Sequence, residues 1–185
     1  MKIIYLAWGS LYWNPDFLPI ASWIQSNLFL PLEFSRISDN GKGRLTLVID
    51  EKNGMYNNIW YAFSKENNVN KAINYLKKRE KTSLNNIAYI NLKNGNARIT
   101  NTSLKIANKI KEFAADNSFD VVIWTDLESN WTKIMNNNYT VARAYNYFKE
   151  SDLETRLRIL EYVYKAKMLT KIETNFSKYF FDKLK

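Results

Sequence analysis

The chain contains no cysteine and no histidine. Without cysteine there are no disulfides and no thiolate nucleophile or ligand, and nothing in the sequence points to an oxidising compartment. Without histidine there is no Ser-His-Asp or Cys-His arrangement and no imidazole zinc site. Proton transfer near neutral pH therefore falls to a carboxylate, a lysine, a tyrosine or water. Glycine and proline are also scarce, with five and three residues. No flexible linker, repeat or low-complexity tract breaks the chain, so residues 1–185 read as a single domain. No run approaches the roughly 20 apolar residues that span a bilayer. The opening Met1-Lys2-Ile3-Ile4-Tyr5-Leu6-Ala7-Trp8-Gly9 has one basic residue and no small-residue cleavage site, and it reads as a buried strand rather than a leader. The expected setting is cytoplasmic, with no membrane partner.

What is present is ordinary for a globular protein: 185 residues, 46% hydrophobic and 24% charged, enough to bury a core without staples. The net charge of +9 is unevenly spread. Residues 65–111 hold eleven basic and two acidic side chains, whereas residues 1–64 balance at five of each. Such a basic stretch can attract a polyanion. Because no nucleic-acid motif accompanies it, solvated lysine faces are the favoured reading and nucleic acid is not the expected partner.

Strand-like runs come first. Ile3–Trp8 is continuously apolar, as in a strand buried on both faces. Leu30–Ile37 and Arg44–Ile49 flank the polar connection 38–43, which suits a hairpin, and Asn58–Phe63 is a fourth strand. A helix is expected from about Asn67 to Glu80, with Val69, Ala72, Ile73 and Leu76 on one stripe. A second hairpin, Ile87–Leu92 with Ala97–Thr100, precedes a helix capped by Thr102 or Ser103, with Leu104, Ala107, Ile110 and Phe113 inward. Val121–Trp124 is a further strand. Helices then follow at Tyr139–Phe148, Asp152–Lys167 and near Thr174–Phe181. Ser151 and Glu154 are expected to box the second of these, with Leu153, Leu157, Leu160 and Tyr164 on its inner face. Strands in the first half and helices in the second make the fold class α+β.

Two segments could carry chemistry. Glu80 is the next inward position after Val69, Ala72, Ile73 and Leu76, and it lies in the last helical turn. Desolvation and the helix C-terminus both oppose ionisation of a carboxyl there, as a general base working near neutral pH requires. Lys77, Lys78, Arg79 and Lys81 pull the other way, and a frayed helix end in water is the plain alternative. The other segment is Ala7-Trp8-Gly9-Ser10-Leu11-Tyr12-Trp13. There a buried strand enters a Gly-Ser turn whose amides could face a shared anion-binding hollow, although Gly-Ser pairs are also common turn punctuation.

Taken together, these segments resemble the γ-glutamylcyclotransferase-like superfamily. Leu6-Ala7-Trp8-Gly9-Ser10-Leu11-Tyr12-Trp13 is similar to its glycine-serine signature, in the form used by the ChaC-like branch. Glu33-Phe34-Ser35-Arg36-Ile37-Ser38, followed by Gly43-Arg44-Leu45-Thr46, is similar to that branch's second segment. Tyr75-Leu76-Lys77-Lys78-Arg79-Glu80 resembles the segment that ends in the family's catalytic glutamate. Order and spacing agree over about the first 90 residues.

The resemblance implies a small mixed β-barrel over most of residues 1–125, flanked by helices, with a helical extension over about 126–185. It implies Glu80 as the catalytic acid/base and backbone amides of Gly9, Ser10 and Leu11 holding the glutamyl end of a small-molecule γ-glutamyl substrate. The product would be 5-oxoproline, with no metal or organic cofactor. Trp8 stands where the family has tyrosine, Lys81-Thr82-Ser83 follows the glutamate where several branches have glycine, and Tyr89 is an offset counterpart of a pocket tyrosine. The competing class is a non-catalytic binding module on the same fold that uses the basic middle or the aromatic C-terminal helices.

Three features read as structure first. Asp126 closes an apolar strand and suits a strand-end turn. Arg36 could meet a substrate carboxylate, but a local pair with Glu33 or Asp39 is the simpler expectation. The aromatic residues of the C-terminal helices suit packing, and an apolar face left over on the last helix would give a homodimer contact.

Overall fold

In the computed structural model residues 1–39 and 41–185 are described. Asn40, in the expected 38–43 connection, lies outside the described residues. The strands are β1 (Ile3–Ala7), β2 (Ile24–Ser38), β3 (Arg44–Ile49), β4 (Met55–Phe63), β5 (Ile87–Asn91), β6 (Ala97–Arg98) and β7 (Val121–Thr125). The helices are α1 (Ser10–Trp13), α2 (Val69–Glu80), α3 (Leu104–Asp116), α4 (Trp131–Met135), α5 (Val141–Glu150), α6 (Leu153–Lys165) and α7 (Asn175–Lys183). The expected α+β class is what forms. No described helix is long and apolar enough to cross a membrane.

The strands make one mixed sheet in the order β3-β2-β4-β1-β7-β5-β6. β1 runs parallel to β7 and antiparallel to β4, and β5 is antiparallel to both β6 and β7. Among the described residues the sheet does not close into the barrel that the resemblance implies. Its edges are β3 and the two-residue β6, too short to continue a ladder.

The chain groups into two compact units. One holds Met1–Phe29 and Asn58–Leu127; the other holds Leu30–Asn57 and Glu128–Lys185. In the first, β1 is buried along its whole length, as its unbroken apolar run requires. Its residues Ile3, Tyr5 and Ala7 pack with Val121 and Ile123 of β7, with Ala72, Ile73 and Leu76 of α2, and with Leu11 and Leu18. The Asn68 side chain accepts from the Lys71 amide and starts α2. Lys81 ends it in the left-handed region at φ 50°, donating back to the Lys77 and Lys78 carbonyls.

In the second unit β2 pairs with β3, with one extra residue on β2 between Glu33 and Arg36. Phe34 packs against the rings of Tyr162 and Phe176, centroids 6.0 and 5.6 Å away. Glu33 beside it is fully buried. Its Oε1 accepts from the Phe34 amide at 2.7 Å, and its Oε2 accepts from the Phe176 amide at 3.3 Å, in the first turn of α7. Burial pushes its carboxyl up to about 7, against the downward pull of those amides and of Thr174, with Asp50 adding a little upward. Burial, and then Glu33 and Asp50, drive the neighbouring Tyr139 phenol far above its ordinary value.

Two helix faces depart from expectation. Leu104 points outward, because it directly follows the cap Ser103; Ile106, Ala107, Ile110, Phe113 and Ala114 are the buried set of α3. On α6 the expected inner residues Leu153, Leu157, Leu160 and Tyr164 are all exposed, and Thr155, Ile159, Tyr162 and Val163 are buried instead. The α6 sequence carries two apolar ridges, and tertiary partners choose between them. Arg44 lies 4.1 Å over the Tyr162 ring, and the Thr155 hydroxyl donates to the Lys42 carbonyl. The cap of α6 is Asp152 rather than Ser151; Asp152 accepts from the Thr155 amide, and the Ser151 hydroxyl donates to the Tyr147 carbonyl.

Candidate functional site

The first unit brings the glycine-serine turn and the end of α2 together. β1 delivers Trp8, which is buried, and Gly9 stands at the cap position of the one-turn helix α1. The Tyr12 amide donates to the Gly9 carbonyl and the Asn14 amide to the Ser10 carbonyl, so the chain turns sharply there. The opening amides of a helix have no carbonyl acceptor within it.

Glu80 lies where the apolar stripe of α2 continues, with only 17% of its side chain exposed. Arg79 is the connector between the two segments. Its Nη1 donates to Glu80 Oε1 at 2.5 Å, its Nη2 to the Asn14 carbonyl at 2.6 Å and, more weakly, to Ser10 Oγ at 3.4 Å; its Nε also reaches the Asn14 carbonyl at 3.2 Å. The guanidinium is itself buried, with 8% of its side chain exposed. A planar fork holding a carboxylate on one side and a carbonyl on the other is a geometry that arginine supplies and lysine does not. Reading the sequence, Arg79 counted only as one of several cations around Glu80. Its inward phase, one residue before Glu80, was the available signal.

The remaining candidates fall elsewhere. Tyr89 sits on β5 opposite Arg98, whose guanidinium lies 5.4 Å from the ring centroid, and it packs on the same apolar cluster as α2. Arg36 belongs to the second unit, where its Nη1 donates to the Glu128 carbonyl at 2.9 Å. It pairs with neither carboxylate by hydrogen bond: Glu33, the expected partner, is turned into the core. Asp126 is an anchor for a loop. Its carboxylate accepts from the Thr100, Asn101 and Thr102 amides at 2.7, 2.9 and 2.8 Å and from the Thr102 hydroxyl at 2.6 Å. That hydroxyl in turn accepts from the Trp124 indole.

The geometry thus defines an open-sheet α+β protein with a partly buried Arg–Glu pair against a strand-end turn. Compared with family models, with curated proteins and with solved structures, the chain matches none.

Proposed function

We propose that the chain is a γ-glutamylcyclotransferase-like enzyme that releases 5-oxoproline from a γ-glutamyl amine or peptide. The observation that carries this reading is the meeting of two segments some 70 residues apart in sequence, Ser10 and Glu80, through the single guanidinium of Arg79. On this reading Glu80 accepts a proton from the substrate's α-ammonium group. The freed amine attacks the γ-carbonyl carbon, forming the new C–N bond of the five-membered ring. The oxyanion that develops is held by amides of Gly9, Ser10 and Leu11. Glu80 then returns its proton to the departing amine as the original amide C–N bond breaks, and the second proton of the ring nitrogen passes by the same carboxylate to that amine, which leaves as an ammonium. Ring closure is intramolecular, so one acid/base and a few donors suffice and no metal or organic cofactor enters the scheme. Arg79 acts as a positioning residue that holds Glu80 and the turn in register. The finer fold assignment belongs to this reading: the unit of residues 1–29 and 58–127 is an opened counterpart of the family's barrel. A cytoplasmic setting belongs to it too.

A second reading, a non-catalytic binding module, is favoured by the ion pair itself. The Arg79 guanidinium on Glu80 Oε1 at 2.5 Å gives this carboxylate a structural role that needs no substrate. The experiment is 5-oxoproline release from γ-glutamyl dipeptides, γ-glutamyl amines and glutathione by wild type and Glu80→Gln, with folding checked by circular dichroism. Release by wild type and a loss of at least 100-fold in the variant supports the enzyme. Equal turnover by a folded Glu80→Gln protein refutes the role of Glu80, and no release by either moves the weight to the binding module.

A further inference from the structure

The residues that sequence periodicity assigns to the inside of α6 form an uncovered apolar stripe. Leu153, Leu157 and Tyr164 leave between 53% and 65% of their surface in water, and Leu160 leaves 37%. Their spacing of four, three and four residues is a heptad seam, one line along the helix. A single π turn, Ala166–Thr170, follows α6 directly. Such a turn absorbs one extra residue, so Met168, 46% exposed, takes the place on the stripe that the residue before it would hold in an unbroken helix. The seam thus runs about 24 Å along the helix. It offers a few hundred Å² of apolar surface, about the size of the largest patch on an ordinary monomer.

Charges border the stripe asymmetrically. Glu154 and Glu161 lie along one margin, in the e positions of the heptad in which Leu153 and Leu160 are d. Arg156 occupies the g position on the other margin, with Lys167 further along that side. Glu154 and Glu161 are well exposed, with i,i+4 contacts to Arg158 and Lys165 on their own helix and with Arg44 near enough to Glu161 to favour its charge. The Arg156 Nε is buried and has no hydrogen-bond partner among the described residues.

We propose that this face of α6 is the contact of a homodimer, in which the two α6 helices lie parallel and in register about a two-fold axis. Self-association covers the apolar seam with an identical seam, as an isologous contact requires. Parallel orientation follows from the charges. In a parallel pair each g residue faces the e residue five positions on in the other copy, which sets Arg156 against Glu161 of the second copy. An antiparallel pair would set e against e, placing Glu154 and Glu161 opposite glutamates. The seam alone is smaller than the roughly 800 Å² per partner of a standard stable interface, and the charged margins supply the rest. The expected complex is therefore a reversible dimer that tightens at low salt. This inference is independent of any chemistry at Glu80.

The absence of cysteine from the chain makes the test direct. Sedimentation equilibrium on the wild type between 1 and 200 µM is expected to show a monomer–dimer equilibrium. Leu157→Glu, a change at a position already in water, is expected to leave the circular dichroism spectrum intact and to yield only monomer. A single Leu153→Cys is expected to form a disulfide-linked dimer on mild oxidation, because a parallel register brings the two copies of residue 153 together. A single Leu104→Cys, equally exposed on α3, is expected not to. Arg156→Glu should weaken the dimer at least tenfold, and adding Glu161→Arg should restore it. A wild type that stays monomeric at 200 µM overturns the proposal, as does a Leu157→Glu protein that still dimerises. Cross-linking of Leu153→Cys only when it is mixed with Met168→Cys overturns the parallel register.

Discussion

Replacing Glu33 with glutamine should remove a fall in stability as pH rises through 7, so that the variant becomes the more stable protein at high pH. Glu33 is fully buried on β2, and among the described residues no cation is hydrogen-bonded to it. Its carboxyl therefore titrates near 7 in the folded chain instead of at the 4.5 of a free glutamate. A folded-state value above the unfolded one means that the folded chain binds more protons between those two pH values. The stabilisation from the neutral acid is then complete below about pH 4.5 and is lost as pH rises through 7. Raising the value from 4.5 to about 7 corresponds to about 3 kcal/mol across that window. Glutamine resembles the protonated acid in shape and does not titrate. Its amide nitrogen would face one of the two backbone donors, which costs about 1 kcal/mol at every pH. Urea denaturation of both proteins at half-unit steps from pH 4.5 to 9 measures the difference. Glu33→Gln is expected to be slightly less stable than wild type at pH 4.5 and about 2 kcal/mol more stable at pH 8.5 and above. Titrating groups common to both proteins cancel in this difference. Parallel stability profiles over the whole range would show that Glu33 ionises freely and would refute the reasoning.

Three further outcomes follow from particular contacts. Asp126→Ala removes the acceptor of three loop amides and a hydroxyl in a site 2% exposed, and equilibrium unfolding should show a loss of about 3–5 kcal/mol. Gly54→Ala would set a methyl carbon 2.5 Å from the Asp50 carbonyl oxygen and 2.7 Å from the Pro31 carbonyl carbon, both backbone atoms that cannot step aside. It should lose more than about 3 kcal/mol, whereas Gly95→Ala, with open space around it but φ at +74°, should lose about 1 kcal/mol in the same assay. Lys81→Gly relieves the left-handed conformation that ends α2 and should raise the thermal midpoint, with a gain of about 1 kcal/mol.

Local chemistry made a large part of this protein legible from its sequence alone. The unbroken apolar run of β1 could only be buried, and the 3.6-residue stripe of α2 had a single apolar face, so its inward side and the inward position of Glu80 followed from spacing. The cap of α3 was readable to within one residue, Thr102 or Ser103, and the Ser103 hydroxyl is the one that accepts from an amide three residues on. The strand of residues 44–49 emerged with the expected ends. These features depend on neighbours within one or two turns of chain.

Where two answers were locally equal, only tertiary structure decided. The α6 sequence offers an apolar ridge through Leu153, Leu157, Leu160 and Tyr164 and another through Ile159, Tyr162 and Val163; the second went inward because Phe34, Arg44 and the Lys42 carbonyl are its partners. Arg79 looked like one cation among four until the Asn14 carbonyl and Ser10 arrived beside it from 65 and 69 residues away. Glu33 was expected only as a possible local partner of Arg36, and the extra residue in β2 and the first turn of α7 instead enclosed it. Closure of the sheet was equally beyond local pattern, since strand order is a property of the whole ladder. Periodicity states which residues share a face. Which face is covered, and by what, depends on contacts between residues distant in the chain.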